Sequence, residues 1–251
     1  QAQQASRAGR SARAAETEVK KIPKPEKYRI YAAINSLGFI RKEPVTPSGK
    51  LLKAKEDRQL MSTGDKVYIR PAGGNAPKKG ELYYLFRTSE PVNDPLTDQY
   101  VGIQHIITGT VEITEIKEQF VIGRIHSAFR TIRQADMLMP FRYREERIKI
   151  EETVGDLKGK IVKAEDDQVL IDELSTAFID KGSNHGIKVG QKYNIYYNES
   201  VAPAASGNDT QQLVAENAGE LLVLHTEKTT STVLITNSKQ PIKPGMTVSS
   251  K

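Results

Sequence analysis

The chain has 251 residues, 37 Lys/Arg against 31 Asp/Glu, and neither cysteine nor tryptophan. The lack of cysteine excludes disulfides, thiolate metal sites and cysteine nucleophiles, and the lack of any run of about 18 apolar residues excludes a membrane-spanning helix. The net charge of +6 is uneven: residues 1–27 carry seven Lys/Arg against three Glu, residues 49–141 thirteen against eleven acids, and residues 159–251 nine against eleven.

Residues 1–27 are rich in Ala, Gln, Arg and Lys and close on IPKPEK. They hold too little apolar surface to offset the entropy of ordering, and Pro23 and Pro25 favour an extended spacer, so we read them as a flexible basic linker with some nascent helix. Residues 28–40 (YRIYAAINSLGFI) are the first that can pack. Tyr28, Tyr31, Ala32 and Asn35 suit a helix, whereas Gly38 before Phe39 and Ile40 suits a turn into a strand; the reading favours a strand. KVYIR (66–70), ELYYLFR (81–87), TVEITEI (110–116) and QFVIGRIHS (119–127) follow as short alternating or β-branched runs, and KYNIYY (192–197), ELLVLHTE (220–227) and TSTVLIT (230–236) answer them later. Between the two groups, Ile148 and Ile150 alternate with charges, which predicts an edge strand in the connector.

The chain also repeats itself at a spacing of 110. GKLLKAKED (49–57) returns as GKIVKAEDD (159–167), and the register continues through Leu60 and Leu170, Ile69 and Ile179, Gly80 and Gly190, Tyr83 and Tyr193, Gly109 and Gly219, and Ile132 and Ile242. Glycines and apolar positions sharing one register point to a duplicated domain, because those positions set turns and core. The expected fold is mainly β: two tandem, small antiparallel barrels or sandwiches. The first spans 28–141 with its repeat core at 49–141, a connector covers 142–158, and the second spans 159–251. Gly64, Gly80, Gly190 and Gly245 each precede a hydrophobic strand, as a tight corner in a closed sheet requires.

Little in the sequence carries chemistry. His105, His126, His185 and His225 fall singly, never at metal-ligand spacing; no serine sits in a G-x-S-x-G elbow; and Gly73 and Gly74 lack the Lys-Ser/Thr of a phosphate loop. We therefore expect no enzyme, no metal and no cofactor. Asn93, Asp94 and Asp98 could offer oxygens to calcium, but three ligands are too few, and Asp-Pro is a common turn starter. Arg124, Arg130, Arg133, Arg142, Arg144 and Arg147 lie within one stretch, either a groove for an anionic partner or a solvated face balanced by Asp136, Glu145 and Glu146. No arginine follows Arg147, so the second copy lacks the bidentate forks favoured for phosphate. The loop 90–99 (EPVNDPLTDQ) differs in character from its counterpart 200–210, which marks it as a place where the copies diverged. Both asymmetries name the candidate partner contacts: Arg130, Arg133, Arg142 and Arg144 for charge, and Asp94, Pro95, Leu96 and Thr97 for shape.

The order of YAA (31–33), Gly38, Gly49, GDKVYI (64–69), YYLFR (83–87), DPLT (94–97), Gly102, Gly109 and IRQADMLMP (132–140) resembles the region that follows the LysM motif in bacterial LysM peptidoglycan-binding envelope proteins. No LysM motif is present here, so the resemblance implies cell-wall glycan binding only through a longer parent protein, whose signal peptide and LysM would lie ahead of Gln1. STAFIDKGSNHGIKVGQKYNIYY (175–197) is loosely similar to the carboxy-terminal barrels of flagellar assembly protein T. Both resemblances imply the periplasm or cell envelope of a bacterium and a non-catalytic binding or spacer module. One alternative is a flagellar accessory structural protein. Another is a tandem SH3/OB-like nucleic-acid binder, which needs Tyr83, Tyr84, Phe86 and Phe129 exposed on a basic face. A polysaccharide-acting enzyme would need two facing carboxylates about 5–10 Å apart.

Overall fold

The computed structural model describes residues 26–250 except 57–58, 73–74, 154, 156, 198–199, 202–210 and 213–214. Residues 1–25 of the expected linker and most of the 200–210 loop thus lie outside the described residues.

In chain order the strands are β1 (Tyr28–Ile30), β2 (Phe39–Arg41), β3 (Gly49–Ala54), β4 (Leu60–Met61), β5 (Lys66–Pro71), β6 (Leu82–Asn93), β7 (Tyr100–Ile116), β8 (Val121–Ala128), β9 (Ile132–Arg133) and β10 (Met137–Pro140). After the connector strand β11 (Arg147–Lys149) come β12 (Lys158–Ala164), β13 (Thr176–Ile179), β14 (Lys192–Tyr197), β15 (Ser200–Val201), β16 (Gln211–Gln212), β17 (Glu216–Thr226), β18 (Ser231–Ser238) and β19 (Thr247–Ser249). The segment 28–40 is neither of the two simple choices: β1 is followed by a 3₁₀ turn, Ala32–Ser36, and then by β2.

Both copies close into six-stranded antiparallel barrels with one topology. The first runs β3-β5-β8-β7-β6-β10 and returns to β3; the second runs β12-β13-β18-β17-β14-β19 and returns to β12. The spacing of 110 holds at the level of single pairs. Leu51 faces Ile69 as Ile161 faces Ile179, with a bulge immediately after each, and Leu85 faces Gly109 as Ile195 faces Gly219, again with a bulge after each. Alternation along these strands sends one face inward. The first core gathers Leu51, Met61, Ile69, Tyr83, Leu85, Val111, Ile113, Ile125, Ile132 and Leu138. The second gathers Ile161, Ile171, Ile179, Tyr193, Ile195, Leu221, Val223, Ile235, Ile242 and Val248, the same positions one repeat later.

The corners keep register even where the residues do not. Gly80 (φ 80°) and Gly190 (φ 90°) are left-handed, and their N–H groups donate to Ile113 and Val223, again one repeat apart. Gly64 (φ 92°) corresponds to Leu174 (φ 68°), and Gly245 (φ 92°) to Ala135 (φ 74°), so the closed sheet imposes this conformation on side chains that disfavour it. The two matching glycines should nonetheless respond differently to a methyl group. A Cβ at Gly80 meets open space, whereas at Gly190 it would lie 1.9 Å from the Lys149 carbonyl oxygen of the connector. Gly80→Ala is expected to cost only the left-handed strain of about 1 kcal/mol, and Gly190→Ala about 2 kcal/mol or more because the connector must also move. Urea denaturation of the two variants measures the difference, and equal losses would mean that the connector does not pack there.

Two further layers cover the barrels. Ile148 of β11 joins Ile34 and Leu37 against Leu222, Leu224 and Leu234 on the outside of the second barrel. Phe39 of β2 joins Tyr84, Phe86, Ile107 and Met139 on the outside of the first.

Candidate functional site at the seam between the barrels

β6 and β7 run past the end of the first barrel. Their distal halves pair from Arg87 with Ile106 out to Asn93 with Tyr100, and β2 adds to that arm through Phe39 with His105 and Arg41 with Ile103. The arm lies on the second barrel. Ile40 and Val92 meet Val162 and Phe178 in a buried apolar patch, and the Thr230 and Thr232 hydroxyls of the second barrel donate to the Ile40 and Gly38 carbonyls at 2.6 and 2.8 Å.

Around that patch stand ion pairs that cross from one copy to the other. Glu165, 3% exposed, accepts from the Gly38 amide (2.7 Å), from Arg130 Nη2 (3.0 Å) and from the Thr176 hydroxyl (2.8 Å), and its carbonyl takes the Gln104 side-chain amide at 2.8 Å. Arg130 also donates through Nη1 to the Ser36 and Ile107 carbonyls, both at 3.0 Å. Arg41 forks onto Glu227 at 2.7 and 3.1 Å. Asp94 meets Lys160 Nζ at 2.6 Å and accepts the Leu96 and Thr97 amides at 2.9 Å. Burial opposes the ionisation of Asp94, but Lys160 and those two amides outweigh it and bring its pKa down to about 2.

Phe39 lies between two histidines that are distant in sequence. Its ring stacks on His105 at 4.6 Å, and His225 tilts against it at 5.9 Å. His105 is fully buried; its Nε2 accepts the Val45 N–H (3.0 Å), which leaves Nδ1 to donate to the Ile103 carbonyl (3.1 Å). Burial lowers its pKa to about 4, so the ring is neutral at pH 7. Burial lowers that of His225 as well, against the opposing pull of Glu227 at 3.0 Å.

The candidate contacts of the sequence divide sharply. Arg130 is an internal staple, and Arg144 reaches inward to the Ile34 and Leu37 carbonyls, so neither belongs to a solvated face. Arg133 and Arg142 are exposed. Asp94 is buried against the second barrel, Leu96 lies over the site where a Gly245 Cβ would be, and Pro95 and Thr97 are exposed. The 90–99 loop therefore meets the other copy of its own chain. Tyr83, Tyr84 and Phe86 are at most 2% exposed, which removes three of the four rings required for base stacking.

The buried carboxylates Asp94, Asp136 and Glu165 each hold a cation, Lys160, Arg87 and Arg130 respectively. No group of three or more His, Asp or Glu among the described residues is arranged to hold a metal ion, and no described helix is long and apolar enough to cross a membrane. No protein-family model matches this chain, and no curated protein is significantly similar to it.

Proposed function

We propose that the protein is a non-catalytic module of the bacterial cell envelope, periplasmic, which holds a partner or spaces a wall-binding domain of a LysM-type parent protein. The observation that carries this reading is the seam. Its ion pairs, Arg130 with Glu165, Asp94 with Lys160 and Arg41 with Glu227, join two copies of one barrel at a fixed geometry, which suits a spacer. The ordered landmarks from Tyr31 to Pro140, similar to the region after LysM, support the envelope compartment. The even charge of the two barrels and the burial of Tyr83, Tyr84 and Phe86 favour this reading over nucleic acid.

In-cell photocrosslinking from Arg133 and Arg142, followed by fractionation, is expected to recover the protein in the envelope fraction joined to an envelope protein. Recovery with cytosolic nucleic acid, or no crosslink from either position, would overturn the reading.

A further inference from the structure

A guanidinium sunk into protein brings five donors and a permanent charge, and is normally met by a carboxylate. Arg87 and Arg130 follow this rule, with Asp136 and Glu165 at 2.9 and 3.0 Å. Arg144 does not. It is half-buried, its Nη1 donates to the Ile34 and Leu37 carbonyls at 3.2 and 3.1 Å, and the ring of Tyr84 lies 6.0 Å from its Cζ. Among the described residues no carboxylate forms a salt bridge with it, although Glu227 and Glu165 lie near enough to favour its charge, and its Nη2 and Nε make no hydrogen bond.

Those free donors belong to a cleft of about 320 Å³ between the connector and the second barrel. Ile34, Ile148 and Leu224, packed on one another, form its buried floor, His225 stands on its wall, and Val189, 41% exposed, stands at its mouth. Arg147 and Lys149 add positive charge along the rim, the first over the Tyr28 ring at 3.8 Å and the second paired with Glu26. Glu145 and Glu151 on the wall are exposed, where water and salt screen their repulsion. Among the described residues, β11 pairs over Arg147–Lys149 with β1 alone.

We propose that this cleft binds the C-terminal carboxylate of a peptide that ends in an apolar residue, with Arg144 as the carboxylate's partner. The proposal rests on the partner-holding reading and names the chemistry of what is held. A chain terminus fits better than an Asp or Glu side chain because it carries an anion and an apolar side chain on one Cα, as the cleft offers a cation and, at its mouth, the exposed Val189. The planar guanidinium fork matches a carboxylate, and capture of a chain end beside a strand edge is an established mode of peptide recognition.

The test uses fluorescence anisotropy with N-terminally labelled Ser-Gly-Ala-Val-Leu, as the free carboxylate and as the C-terminal amide. The free acid is expected to bind at least tenfold more tightly than the amide, with Arg133→Gln unchanged. Arg144→Gln should abolish binding but also removes two carbonyl contacts, so Val189→Glu carries the decision. It places a negative charge at the mouth, leaves the bonds of Arg144 intact, and is expected to weaken the free acid at least tenfold. Equal binding of acid and amide, an unchanged Val189→Glu, or no saturation at millimolar peptide overturns the proposal. If that happens while envelope crosslinks persist, the cleft assignment alone falls; if the crosslinks are lost as well, the envelope reading falls with it.

Discussion

Arg130→Ala is expected to destabilise the protein by about 3 kcal/mol, at the low end of what removing one partner of a buried ion pair costs, because the arginine itself is partly open to water. The substitution leaves Glu165, whose side chain is 2% exposed, with only the Gly38 amide and the Thr176 hydroxyl for its charge, and strips the Ser36 and Ile107 carbonyls of a donor. Arg133→Ala, at an exposed side chain only three residues away, should stay within about 0.5 kcal/mol of the wild type. Urea denaturation at pH 7.5 compares the two. Equal, small losses would show that the pair contributes nothing net and that the barrels are held by the other seam contacts, the patch of Ile40, Val92, Val162 and Phe178 among them.

Acid should weaken the protein well above the pH at which carboxylates titrate. The pKa of His105 is lowered from 6.5 to about 4 by burial, so the unfolded chain takes up a proton that the folded chain refuses. The stabilising effect of keeping this ring neutral is therefore fully present above pH 6.5 and is lost as pH falls from 6.5 towards 4. It amounts to up to about 3 kcal/mol, with a slope of about 1.2 kcal/mol per pH unit at pH 5. The groups facing the ring act in opposite directions, Arg41 against its protonation and Glu227 in favour of it. His225, shifted in the same direction by burial, adds to the trend. The measurement is the urea midpoint from pH 7.5 to 4.5. His105→Asn should begin less stable at pH 7.5, for loss of the stacked ring, yet fall less steeply; slopes that match the wild type would place the titration elsewhere.

The barrels were legible because duplication doubles the signal. One run of glycines and alternating apolar residues is weak, but two in register at 110 determine strand positions and core faces together, from Leu51 and Ile161 to Leu138 and Val248. The connector strand was legible in the alternation of Ile148 and Ile150. The segment 28–40 was not, because Tyr31, Ile34 and Leu37 are ordered by packing and hydrogen bonds far along the chain, which leave no local period. Leu174 and Ala135 could not be read as left-handed corners either; their own preferences oppose the conformation that closure forces on them. The seam was hidden for a related reason. Its contacts join positions such as His105 and His225, which no spacing rule connects, through a phenylalanine on a third strand. One trace was available: where the repeats otherwise agree from Gly49 to Ala54, the next position is Lys55 in the first copy and Glu165 in the second. That single charge reversal marks the carboxylate around which the two copies join.

The length of β7 has a mechanical consequence. Its 17 residues extend over roughly 55 Å at about 3.3 Å each, more than one small barrel needs, and the excess becomes the arm that carries β2 onto the second barrel. A loop between two bodies bends by changing a few backbone angles, whereas bending here must break ladder bonds between β6 and β7 or lift Ile40 and Val92 out of their apolar contact. The chain therefore works as a lever with one continuous beam, and a torque applied to one barrel is delivered to the other.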